Sequence, residues 1–160
     1  KNFNMARIIA YPNATSPISE DDCLLGTQKD NTGSYPSNPT RNFSVGSVVQ
    51  AGLGYTVYSA LIDQTGTSAP SATILKNNTT ATLTWARTSA GIYTVTADSN
   101  IFTVNKTVVF MNYGNPSSDG LPPKWARTSD TVITVTTSDE TAVLDDGILT
   151  SGAFEIRIYN

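Results

Sequence analysis

The chain has 160 residues and a mass of 17.0 kDa, the size of one domain with a short appendage. Charged residues are only 14% and the net charge is −3, which excludes the basic footprint of a nucleic-acid binder. No apolar run is long enough to span a membrane, and there is no histidine, which removes the commonest general base, the commonest metal ligand and any Ser-His-Asp or Cys-His system.

The one cysteine, Cys23, rules out an internal disulfide framework, so the fold needs no oxidising compartment. Beside Asp22 and with no histidine to pair with, it reads as a small buried hydrophobe rather than a nucleophile. "MARIIAYP" has an arginine but no long apolar run, so it does not read as a signal peptide. Met5 is a candidate natural start.

Residues 1–52 read as an irregular N-terminal arm. Pro12, Pro17, Pro36 and Pro39 punctuate a stretch rich in Asn, Ser and Asp, and each favours extended or turn backbone before it. Two apolar patches stand out, "CLLG" and "FSVGSVV". Such a segment cannot build its own core. It is either an arm that orders by packing on something else, with Leu24, Leu25, Phe43 and Val45 as its anchors, or a disordered tail. "ISEDDCLLG" is readable as a helical turn capped by Ser19. "NFSVGSVVQAG" is readable as a short helix or a strand, stopped by Gly52.

Residues 53–160 read as a β-sandwich or jelly-roll head. In "YTVYSALI", Tyr55, Val57 and Ser59 alternate with Thr56, Tyr58 and Ala60, the period of a strand with one buried face. "SATILKN" is the next strand. "TLTWAR" and "IYTVTAD" flank "TSAG" as a hairpin, in which Gly91 supplies a positive φ. With Thr88–Gly91 as the loop, the expected register sets Arg87 opposite Ile92 and Trp85 opposite Thr94. "TVVFMNYG" reads as a central apolar strand and "NPSSDGLPP" as a long turn. "KWAR" and "VITVTTSD" repeat the hairpin. In the closing "AFEIRIYN", Phe154, Ile156 and Ile158 share one face, and Glu155, Arg157 and Tyr159 the other. Short strands with turns at such regular spacing describe an all-β sandwich, and the sequence leaves jelly-roll and immunoglobulin-like topologies both open.

"WARTS" occurs twice, at Trp85–Ser89 and Trp125–Ser129. Trp85 and Arg87, like Trp125 and Arg127, share a face of their strand. A surface patch of two Trp–Arg pairs would suit stacking on sugar rings. The structural alternative is that each indole plugs one end of the core and each guanidinium sits at the rim. The second copy has "TSDT" where the first has "TSAG", so the two are alike but not equivalent. Two copies are too few for a repeat array.

Acidic residues gather at Glu20–Asp22, Asp139–Glu140 and Asp145–Asp146. "SDETAVLDDG" does not have the EF-hand spacing and reads as a solvated turn rather than a calcium loop. No metal site and no cofactor is expected. N-x-S/T triplets at Asn13, Asn42, Asn77, Asn78 and Asn105 follow from the Asn/Thr-rich composition. A glycosidase carboxylate pair is conceivable but nothing marks one, so the expectation is a protein that is not an enzyme.

"YTVYSALIDQTGTSAPSATILKNN", "TWARTSAGIYTVT", "NKTVVFMN" and "DDGILTSGAFEIRIYN" together resemble a module of virion proteins of tailed bacteriophages, most of all those infecting Bacteroidetes and related bacteria. "SPISEDDCLLGTQKDNTG" and "TRNFSVGSVVQ" are similar to the N-terminal segments of such fibre proteins. The resemblance spans nearly the whole chain. It implies a non-enzymatic virion component assembled in the host cytoplasm, a head or tail fibre subunit, often a homotrimer. Its arm would attach to other virion proteins and its β-rich head would contact host-surface glycans. "TSDT" and the long "NPSSDGLPP" insert depart from the pattern and bear on the loops. The alternative reading is a monomeric carbohydrate-binding or adhesin module that uses the Trp–Arg faces.

Overall fold

The computed structural model describes residues 21, 23–27, 40–113 and 120–160. The chain divides into two units, Lys1–Leu53 and Gly54–Asn160. In the first, β1 (Cys23–Thr27) and β2 (Thr40–Ser44) pair antiparallel, with Leu24 opposite Phe43 and Leu25 opposite Asn42. The helix α1 (Val45–Leu53) follows directly. The Ser44 hydroxyl accepts the Ser47 amide at 3.1 Å, satisfying one of the donors that a helix start leaves open. "NFSVGSVVQAG" therefore contains both the strand and the helix. Its stop is Gly54 rather than Gly52. Gly54 takes a φ of +68°, the left-handed conformation typical just past a helix end, and Gly52 lies within α1. Of the stretch expected as a helical turn, Cys23–Gly26 is strand, and Ser19 falls outside the described residues. Cys23 is exposed, contrary to the expectation of burial, because a two-stranded ribbon encloses little.

The second unit holds β3 (Tyr55–Asp63), β4 (Ser71–Asn77), β5 (Leu83–Ser89), β6 (Ile92–Ala97), β7 (Thr107–Asn112), β8 (Leu121–Arg127), β9 (Val132–Ser138) and β10 (Gly152–Tyr159). They form two four-stranded sheets, β4-β3-β10-β7 and β5-β6-β9-β8, with every pairing antiparallel. This is the expected all-β sandwich. The first and last strands of this unit, β3 and β10, pair at the centre of one sheet, so the order departs from the immunoglobulin arrangement. "TVVFMN" lies at a sheet edge, and β3 and β10 take the centre. Its apolar run arises because Thr107 and Val109 face the core while Val108 and Phe110 occupy the outer face.

The core follows from alternation. Tyr58, Ala60 and Ile62 of β3 and Phe154, Ile156 and Ile158 of β10 point inward against Tyr93, Val95, Ile133 and Val135 of the other sheet. Each of the large aliphatic and Phe side chains among them contributes about 1.5–3 kcal/mol on burial. The Trp85 and Phe154 rings meet edge to face across the two sheets, with centroids 4.8 Å apart.

The repeat has a geometric meaning. The inner strands of the two hairpins pair with each other: Tyr93 lies opposite Val135, Thr94 opposite Thr134 and Val95 opposite Ile133. Residues forty positions apart in sequence thus exchange places across a local two-fold through Thr94 and Thr134. The WARTS strands β5 and β8 become the two edges of one pseudo-symmetric sheet.

Candidate functional site

Both WARTS strands turn the Trp–Arg face inward, and the register in the first hairpin differs from expectation. Trp85 lies opposite Val95 and Arg87 opposite Tyr93, with a register shift between Arg87 and Ser89. The cause is a tight Ala90–Gly91 turn, Gly91 having a φ of +62°, with an extra residue bulged into β5. In the second hairpin Trp125 lies opposite Val135 and Arg127 opposite Ile133. Trp85 is a core residue, 8% exposed, and Trp125 is half-buried against the same core. A sugar ring has no access to Trp85 without opening the sandwich.

The two arginines clamp loops. Arg87 donates to both carboxylate oxygens of Asp146, at 3.1 Å from Nε and 2.7 Å from Nη2, in the bidentate geometry that suits a guanidinium. Asp146 also accepts the Tyr93 hydroxyl at 2.6 Å and the Gly91 amide at 3.0 Å. This donor set, Arg87 foremost, holds the Asp146 carboxyl well below the usual carboxylate range. Burial, and then its hydrogen bond to Asp146, push the Tyr93 phenol well above its ordinary value. Arg127 donates from Nε to the Phe102 carbonyl at 2.5 Å and pairs with Asp130. Asp146 lies in the connection from β9 to β10, and Phe102 in that from β6 to β7. Each arginine therefore ties down the crossover that leaves the other hairpin.

Asp139 and Asp145 of "SDETAVLDDG" serve the loop itself. Asp139 accepts the Thr141 hydroxyl and the Thr141 and Val143 amides. The carboxylate of Asp145 accepts the Asp146 amide at 2.9 Å. Among the described residues no group of three or more acidic or cysteine side chains is placed to hold a metal ion.

The exposed chemistry lies on the outer face of the β4-β3-β10-β7 sheet. Glu155, Arg157 and Tyr159 of β10 point outward beside Tyr55 of β3 and Phe110 of β7. The Arg157 guanidinium sits 5.0 Å from the Tyr55 ring centroid and 4.8 Å from that of Phe110, within cation–π range. Its Nε donates to Glu155 at 2.6 Å, which raises the Arg157 pKa further. Tyr55 and Tyr159 are 5.3 Å apart, ring to ring. A shallow groove of about 390 Å³ runs along this surface between Ser59, Phe110, Asn112, Glu155 and Arg157. It offers rings, a hydroxyl, an ion pair and an amide. The sequence placed Glu155, Arg157 and Tyr159 together. It carried no signal for Tyr55 and Phe110, which arrive on separate strands through the order of the sheet.

For the expected arm anchors, Leu24 and Leu25 lie in β1, and Phe43 and Val45 are half-buried at the end of β2 and the start of α1. No helix among the described residues is long and apolar enough to cross a membrane. No family model, no curated protein and no solved structure matches this chain.

Proposed function

We propose that the chain is a non-enzymatic structural protein of a phage virion, a surface fibre or appendage subunit. Its N-terminal arm anchors it to other virion proteins and to copies of itself, three in the arrangement that the resemblance implies, and its β-head is displayed outward. Neither nucleic acid nor membrane is a partner in this reading. The observation that carries it is the division at Leu53 and Gly54 between an arm whose strand pair contains Leu24, Leu25 and Phe43 and a sandwich that forms its own unit. α1 supports it, since this helix has no charged residue and leaves Val48, Val49 and Leu53 exposed. A short helix of that kind is marginal in water without a partner surface. The head suits a stable particle that does without disulfides, because its loops are held by hydrogen bonds and by the Arg87–Asp146 and Arg127–Asp130 ion pairs.

The test is incorporation into particles. A double change L24D/L25D in the full chain is expected to abolish it while the isolated protein keeps its far-ultraviolet signature. Normal incorporation would remove the anchoring role.

The second reading, a monomeric carbohydrate-binding module, rests on the exposed rings of Phe110 and Tyr159 around Arg157 rather than on the Trp–Arg pairs. Glycan-array binding that disappears in F110A, with the thermal transition retained, would favour it.

A further inference from the structure

We propose that β4 is a self-association edge, in which Ala72–Ile74 pairs antiparallel with the same segment of a second copy about a two-fold axis at Thr73. The inference goes beyond the virion reading and does not depend on it.

Among the described residues, β4 ends its sheet and has a neighbour, β3, on one side only. Ala72 lies opposite Ile62 and Ile74 opposite Ala60, so Ala72 and Ile74 belong to the core side of the sheet. Ala60 and Ile62 are buried there, yet Ile74 is 53% exposed. At the opposite end of the same sheet, the inward residues Thr107 and Val109 of β7 are buried. β4 therefore projects past the sheet beneath it and leaves an isoleucine on an uncovered underside. An open strand edge with such a face is a template for another strand.

The segment selects its own copy because it is self-complementary. With Thr73 on the axis, each Ile74 meets the partner's Ala72 on the uncovered side, a large residue against a small one. The two threonines meet on the outer face, where Leu61 is 48% exposed, a favourable cross-strand pair. The register shift in β4 leaves Leu75 unpaired, and beyond it Lys76 lies opposite Ser59 on the outer side. A register centred on Ile74 would set the inward Ala72 against this outward lysine, so the bulge excludes it. The bulge and Lys76 blunt the last part of the edge, as such features do, and Ala72–Ile74 carries neither. It also carries no charge, so two copies do not repel. The edge of β8, by contrast, carries Pro122 and Pro123, which have no amide to donate.

Pairing of this kind is isologous and makes pairs of chains. A three-fold assembly would use other surfaces, and the two contacts are separable by mutation. A few residues of strand with one isoleucine bury less than a standard interface, which places the contact in the weak class. It is expected to be concentration-dependent.

The experiment is cross-linking of the full chain. In a C23S background, T73C under mild oxidation is expected to give a species of twice 17.0 kDa, because the two-fold brings that position against itself. The control T88C, on the exposed edge strand β5, is expected to give none. Independently, light scattering up to millimolar concentration is expected to show a rising average mass that I74K lowers. No cross-linking of T73C above the T88C level, or an average mass that I74K leaves unchanged, would overturn the proposal. Failure of L24D/L25D to affect particle incorporation would leave this edge contact untouched, so the two readings fail separately.

Discussion

Arg87 and Asp146, fifty-nine positions apart in the chain, form a bidentate ion pair that joins the first WARTS hairpin to the loop leaving the second. Asp146 answers to three elements at once, since Gly91 and Tyr93 also donate to it. Removing the carboxylate leaves a guanidinium, a phenol and an amide without their acceptor. D146A is expected to cost about 1.5–3 kcal/mol, the range for hydrogen bonds to charged groups. Urea denaturation of the isolated protein measures it. A midpoint unchanged from wild type would mean that water replaces the carboxylate at no cost.

The same site sets a pH dependence. The Asp146 carboxyl lies below its ordinary value when folded, and so does that of Asp139, through its Thr141 and Val143 bonds. In the unfolded chain both return to about 3.9. The stability they contribute is present above that value and is lost as pH falls below it toward the folded values. Tyr93 works in the other direction. Its folded pKa is raised, so its contribution is full below the unfolded value of about 10 and fades as pH climbs above it. Denaturation midpoints should hold a plateau from pH 5 to 9 and fall on both sides. D146N should flatten the acid limb, and an acid limb as steep as that of wild type would place the titration elsewhere.

Gly91 and Gly66 form a matched pair for the turn. Both have positive φ, +62° and +53°. A Cβ on Gly91 would strike the Thr137 carbonyl oxygen and come within 2.6 Å of the Asp145 amide nitrogen, whereas one on Gly66 meets open space. G66A should lose only the ~1–2 kcal/mol of a left-handed alanine. G91A should lose clearly more, because the β9–β10 loop must also move. Equal losses in thermal melts would show that the loop yields freely.

Trp85 and Trp125 occupy equivalent positions with unequal burial. W85A removes a ring that bridges the sheets at 4.8 Å from Phe154, and a loss of about 3–5 kcal/mol is expected. W125A, half-buried at the edge, should lose less. Fluorescence offers a second check: the emission that survives in W125A should be blue-shifted relative to that surviving in W85A. The reverse order would mean that β8 covers its indole better than β5 does.

The chain's own pattern determined the all-β class, the strands of the second unit and the placing of Trp with Arg on one face, because a period of two and the placement of turn residues are local properties. It also placed Phe154, Ile156 and Ile158 on one face, which the structure buries. The direction of the WARTS face was not legible. A one-residue bulge at Thr88 and the order of the strands decide it, and both depend on which segments meet in space. Tertiary structure alone turned a forty-residue repeat into a pseudo-two-fold sheet with crossed loop clamps. It also brought Tyr55 and Phe110 to either side of Arg157, and left Ile74 beyond the reach of the sheet that buries its neighbours. Those outcomes rest on contacts between residues tens of positions apart, where local propensity has no influence.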